Sequence, residues 1–186
     1  MHVLGAAGLF VALGLEWAAL RGLLLATTAP EARGWLGLFP ILRRIYPWTF
    51  VAILTSGVYM MVVEWAERPW IILGLLAMLA LPPVGAVMTG RRMRRIVPAL
   101  EDVPGALEPE LRTRLADPAL RLSLRLRVGL AVAIVFLMTV KPGWIGSLIA
   151  IIAFTGLGAL IGVGARKGTE PAPPLRRSPG PLDPAR

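Results

Sequence analysis

The chain has 186 residues, 56% of them hydrophobic, a formal net charge of +9 and a mean hydropathy of +0.69. A soluble domain of this size carries roughly 45–50% apolar residues, and the excess here requires lipid rather than a larger core, because spanning segments are apolar on nearly every face. The charges cluster between apolar runs with no basic stripe of interleaved aromatics, which excludes nucleic acid as a partner and points to membrane topology and to anionic lipid on the cytoplasmic side.

No cysteine is present, so disulfides, thiolate metal sites, iron–sulfur clusters and cysteine nucleophiles are excluded together. Arginine outnumbers lysine 18 to 2 beside abundant Ala, Leu, Gly and Pro. That composition suits a GC-rich bacterial genome, and the expected location is the bacterial cytoplasmic (inner) membrane, crossed several times.

The first apolar run, Val3 to Thr27, is broken only by Glu16 and Arg21. No Lys or Arg precedes it and no small-residue cleavage site follows at the expected place, so a retained spanning helix is expected over 3–27. Residues 28–47 mix Pro30, Gly34, Pro40 and Pro47 with Trp35, Phe39, Tyr46 and arginines, which predicts an interfacial segment containing a short amphipathic helix. The second span is placed at 48–65 and the third at 70–89, with a kink at Pro82-Pro83 because proline removes backbone donors. Residues 90–121 form a cytoplasmic insertion in which Pro109 to Ala116 can make two helical turns. Asp117-Pro118 reads as a helix cap followed by proline at the first helical position. The helix it opens runs to Val140 and carries the fourth span, 122–140. Lys141-Pro142-Gly143 turns the chain back into the fifth span, 144–164. The proline-rich tail, 166–186, is expected to be a disordered cytoplasmic segment.

Arg33, Arg43 and Arg44 follow the first span, nine arginines from Arg91 to Arg127 follow the third, and Arg166 and Lys167 follow the fifth. The opposite side holds only Arg68 and Lys141. The positive-inside rule then orients the chain. The expected fold is an all-α polytopic bundle of five transmembrane helices spanning residues 1–165, with the N-terminus outside and the C-terminus in the cytoplasm.

Glu16 is the most informative position, roughly 20 Å along the first helix at about 1.5 Å per residue. A carboxylate there is costly and must face protein or water, so it is a candidate proton- or cation-binding group as well as a packing anchor. Arg21 is five residues on and does not share its face, whereas Arg127 at the cytoplasmic end of the fourth span is a candidate partner. A second group, His2, Glu64 and Lys141, gathers at the outer ends of the helices together with Met60, Met61 and Met138. Imidazole with thioethers suits copper, especially Cu(I); the alternative is that the methionines are lipid-facing and Glu64 pairs with Lys141. With a single histidine, bis-histidine b haem is excluded, and His2 is left as the one residue for single-axial haem ligation. Gly14, Ala18 and Gly22, and Gly158 and Gly162, stand at helix-packing spacing. Thr55, Ser56 and Tyr59 are candidates to line a polar cavity, though serine and threonine also bond their own backbone. No nucleophile elbow, P-loop, HExxH or Rossmann pattern supports an enzyme.

The opening MHVLGAAGLFVALGLEW, the LTSGVYM of the second span and RLRVGLAVAIVFLMTVKPGWIGSL of the fourth and fifth resemble small bacterial integral-membrane proteins distantly similar to the copper-resistance D group. That resemblance implies a membrane helical fold over residues 1–165 and a ligand role for His2; the further histidines of copper or haem members are absent here. The function expected is permease-like transport coupled to a proton or cation through Glu16. The alternatives are an accessory or structural subunit of a larger membrane complex or homo-oligomer, and a metal- or haem-associated redox protein.

Overall fold

A computed structural model describes residues 1–65 and 68–161. The expected tail at 166–186, the last residues of the fifth apolar run (Gly162 among them), Arg166, Lys167 and Glu67 lie outside the described residues. Within these bounds the chain is all-helical: α1 His2–Leu25, α2 Ala29–Leu36, α3 Leu38–Met60, α4 Pro69–Val84, α5 Arg91–Glu101, α6 Pro109–Leu115, α7 Pro118–Val140 and α8 Trp144–Leu160. Short π-helical turns extend α3 over Met61–Trp65 and join α4 to α5 over Gly85–Gly90. Taken with these extensions, four helices are long and apolar enough to cross a membrane, those beginning at His2, Ala29, Pro69 and Pro109, and Trp144–Leu160 is a shorter apolar fifth.

Local sequence explains the boundaries. Thr28 and Glu31 form a reciprocal capping box at the start of α2, each side chain accepting from the other's backbone N–H, which satisfies two otherwise unpaired donors. At the start of α7, Asp117 accepts from the Ala119 N–H at 2.8 Å and from Arg92 at 2.6 Å, and Pro118 follows as the first helical residue. Burial pushes the Asp117 carboxyl up, but the Ala119 N–H and the Arg92 guanidinium outweigh it and hold the group below the usual carboxylate range.

α3 begins at Leu38, well before the expected start at Trp48. Pro40 falls in its first turn, where the missing N–H has no intrahelical acceptor to lose, and Pro47 forfeits only the bond to Arg43. At Pro82-Pro83 the α4 helix continues, and the lost donors are followed by the π-helical turn Gly85–Gly90. Such turns absorb a local change of register.

The helices pack around α7, which contacts α1, α4 and α8, while α3 packs mainly on α1. The α7–α8 contact is very close: a Cβ on Gly129 would strike the Phe154 carbonyl and one on Gly158 the Arg125 carbonyl. Gly5 and Gly8 do the same for α1 against Ile53 and Thr49 of α3, and Gly22 receives the Trp35 ring of α2. Of the expected small-residue positions of α1, Gly22 is closely packed, whereas a Cβ at Gly14 would meet nothing within 4 Å; Gly5 and Gly8 add close contacts outside that four-residue spacing. Arg33 donates to the carbonyls of Leu100, Glu101 and Val103 at 2.9, 3.2 and 3.0 Å. It thereby caps α5 and ties the two polar connections together.

Candidate functional site

Two places in the bundle collect chemically capable side chains. The first is a polar clasp where α1, α3, the π-helical turn after α4, and α7 meet. Glu16 and Arg127 form a bidentate ion pair, with side chains 3% and 7% exposed. Nη1 of Arg127 donates to Oε2 of Glu16 at 2.9 Å and Nη2 donates to Oε1. The Tyr46 hydroxyl donates to the same Oε2 at 2.6 Å, and the guanidinium lies over the Tyr46 ring at 5.7 Å.

The remaining guanidinium protons are also used. Nη2 reaches Thr89 Oγ1 at 3.5 Å and Nε reaches the Ser123 carbonyl at 3.4 Å, while Thr89 donates to the Ser123 hydroxyl at 2.9 Å. Gly85 makes room: a Cβ there would lie 3.3 Å from Nη1 of Arg127. Burying two opposite charges is tolerable only when they are paired and their other polar atoms are satisfied, and this arrangement meets that condition with residues from four segments.

Arg21 takes no part. It is exposed on the opposite side of α1 and rests on Trp17 with 5.5 Å to the ring centroid. Of the clasp residues, Tyr46, Thr89, Ser123 and Gly85 were not anticipated. Ser123 had a legible signal, since it stands four residues before Arg127 on one helical face. Tyr46 had none, because its prolines place it outside the expected span.

The second place is a cavity of about 230 Å³ at the other end of the same helices, where α1 and α4 begin and α3 and α7 end. Ile53, Trp70, Ile71, Met78 and Ile134 are buried members of its lining, and His2, Met60, Met61, Trp65, Met138 and Lys141 are its less buried, outward members. The candidate ligands His2, Met60, Met61 and Met138 therefore share one lining. The Ser56 hydroxyl donates to the Ala52 carbonyl of its own helix and stands 3.0 Å from Nδ1 of His2, which ties the imidazole to α3.

Lys141 is not paired with Glu64. Its ammonium sits over the Trp65 ring at 3.8 Å and faces Trp70 at 5.8 Å, and Glu64 is exposed outside the cavity. Thr55 and Tyr59 are exposed, and Thr55 bonds the Val51 carbonyl of its own helix at 2.7 Å. Among the described residues no group of three or more His, Cys, Asp or Glu side chains converges as a metal site.

Comparison with protein-family models, with curated proteins and with solved structures gives no match. The likeness to the copper-resistance D group therefore rests on the sequence features alone.

Proposed function

We propose that the chain is a multi-pass protein of a bacterial cytoplasmic membrane, with five spans, the N-terminus outside and the C-terminus in the cytoplasm, acting as a small permease coupled to a proton or cation through Glu16. The observation that carries this reading is the pairing of a cavity at one end of four helices with a closed, ion-paired clasp towards the other end. From Ile134, a buried residue of the cavity lining, to Arg127 is seven residues, or roughly 10 Å of helix. A transporter needs a chamber and a barrier that can open. The Glu16–Arg127 pair supplies a barrier whose stability depends on the charge of one carboxylate: protonation of Glu16, or a competing cation, removes the attraction that holds α1 to α7.

Exposed apolar side chains support insertion: Ile145, Ile149, Ile152 and Leu160 of α8 and, to a lesser degree, Val51 and Val58 of α3 face outward from the bundle. α8 is about 25 Å long by its residue count, short of roughly 30 Å of hydrocarbon, which local thinning accommodates.

The test is proton flux in liposomes containing the purified protein, read by an entrapped pH indicator under an imposed gradient. The wild-type protein is expected to carry flux that Glu16→Gln abolishes, compared at equal amounts of folded, monodisperse protein because the variant leaves the buried Arg127 unmatched. Equal flux in the two proteins would end the coupling role.

A second reading, an accessory subunit of a larger complex, is favoured by α3, which buries only Leu42 and Ile53 and so leaves most of its surface for a partner. Co-purification of a stable larger assembly in mild detergent supports it; a monodisperse single chain with flux opposes it. A third, a metal- or haem-associated redox protein, is favoured by His2 and the three methionines around one cavity. Metal analysis and an absorption spectrum of the purified protein decide it.

A further inference from the structure

We infer that the cavity at the N-terminal end of α1 binds a small single-chain amphiphile with an anionic head, a fatty carboxylate, with its tail among Ile53, Met78 and Ile134 and its head at Lys141. This rests on the reading of that cavity as the ligand chamber.

The lining is apolar over nearly all of its surface, and its one permanently charged member is Lys141 at the mouth. An apolar chamber ending at a single ammonium is complementary to a molecule that is apolar along its length and carries one negative charge at the end. Lys141 is also held ready. Trp65 and Trp70 flank the ammonium, and among the described residues no carboxylate pairs with it. A carboxylate headgroup therefore meets a cation that has aromatic contacts and, among the described residues, no ion-pair partner. Tryptophans also favour the headgroup level of a bilayer, where the carboxylate of an inserted fatty acid lies.

The backbone of Lys141 is an independent observation. It is the only non-glycine residue of positive φ among the described residues, at φ 54° and ψ 49°, and its N–H closes α7 by donating to the Leu137 carbonyl at 3.0 Å. Glycine does this at a helix end without the steric penalty that any L side chain incurs there. A lysine in this position costs the helix end some stability and returns a positive charge at the rim of the cavity. Strain of this kind collects at binding sites.

The two roles separate experimentally. Lys141→Gly improves the backbone and removes the charge; Lys141→Gln removes the charge and keeps a long side chain; Lys141→Arg keeps the charge. The protein is reconstituted in nanodiscs of zwitterionic lipid, and saturable binding of radiolabelled decanoate is measured with empty discs subtracted. Decanol, with the same tail and no charge, is the comparison. We expect wild-type protein to bind decanoate at least ~10-fold more tightly than decanol, which is about 1.4 kcal/mol. Lys141→Gly and Lys141→Gln should lose that preference while melting at or above the wild-type temperature for the glycine variant. Lys141→Arg should retain it. Absence of saturable decanoate binding, equal affinity for decanol, or undiminished decanoate affinity in the glycine and glutamine variants overturns the proposal. Binding without proton flux leaves the ligand class standing and removes the permease; flux abolished by Glu16→Gln without decanoate binding does the reverse.

Discussion

A carboxylate and a guanidinium that share two contacts inside an apolar bundle are held together chiefly by the cost of separating them. Removing one member of a buried pair leaves an uncompensated charge and costs about 3–5 kcal/mol, whereas replacing both with apolar groups of similar volume is often neutral. A single interhelical hydrogen bond among membrane helices contributes much less, on average ~0.6 and at most ~1.7 kcal/mol. Arg127→Met should therefore lower the melting temperature far more than Tyr46→Phe, although both side chains contact Glu16 Oε2. Glu16→Leu combined with Arg127→Met should recover most of the loss. Thermal unfolding of the four proteins in one detergent measures this, and a tyrosine variant as unstable as the arginine variant contradicts the ranking. Ser123 and Thr89 serve Arg127 in turn, so the pair is positioned by groups that carry no charge themselves.

Among the elements, the contact of α7 with α8 is the least forgiving. Gly129 and Gly158 meet backbone carbonyls of the facing helix, so an added side chain cannot be accommodated by a rotamer change and must push the helices apart. Gly129→Leu is expected to cost about 1–3 kcal/mol or more, seen as a lowered melting temperature; Gly14→Leu, at an open position, should change it little. Equal effects at the two positions would show that the close approach is not what holds α8.

Sequence reading located the end of one element well and another poorly, for a definite reason. Asp117-Pro118 marks its own helix start, because capping and the fixed φ of proline act within two residues. The start of α3 is hidden because Pro40 and Pro47 carry the usual signs of a break, and whether a lost donor breaks a helix depends on the packing around it. α3 is held along α1 by Gly5 and Gly8, a tertiary contact that no local pattern announces. The same holds for the clasp. Glu16 stands out because charge is rare in an apolar run, and Arg127 because it begins the apolar part of α7. Tyr46 belongs with them only after α3 has been extended.

For the molecule as a whole, the proposed topology sets the arginine-rich segments against the face that bears Glu64, Arg68 and Lys141. The absence of cysteine makes single-cysteine labelling direct. Glu64→Cys should react with an impermeant maleimide in intact cells, and Arg94→Cys, at an exposed position of α5, only after permeabilisation. Labelling of both from one side would refute the five-span orientation.

The Glu16–Arg127 pair joins residues 111 positions apart, and this sets a condition on biosynthesis. At about 5–20 residues per second, α1 emerges from the ribosome roughly 6–20 s before the residue that neutralises it. During that interval its carboxylate has no guanidinium to meet. A nascent chain released before α7 carries an acidic helix whose carboxylate lacks the guanidinium that pairs with it in the finished protein. Closure of the clasp is thus tied to the synthesis of α7, and to the arrival of one arginine.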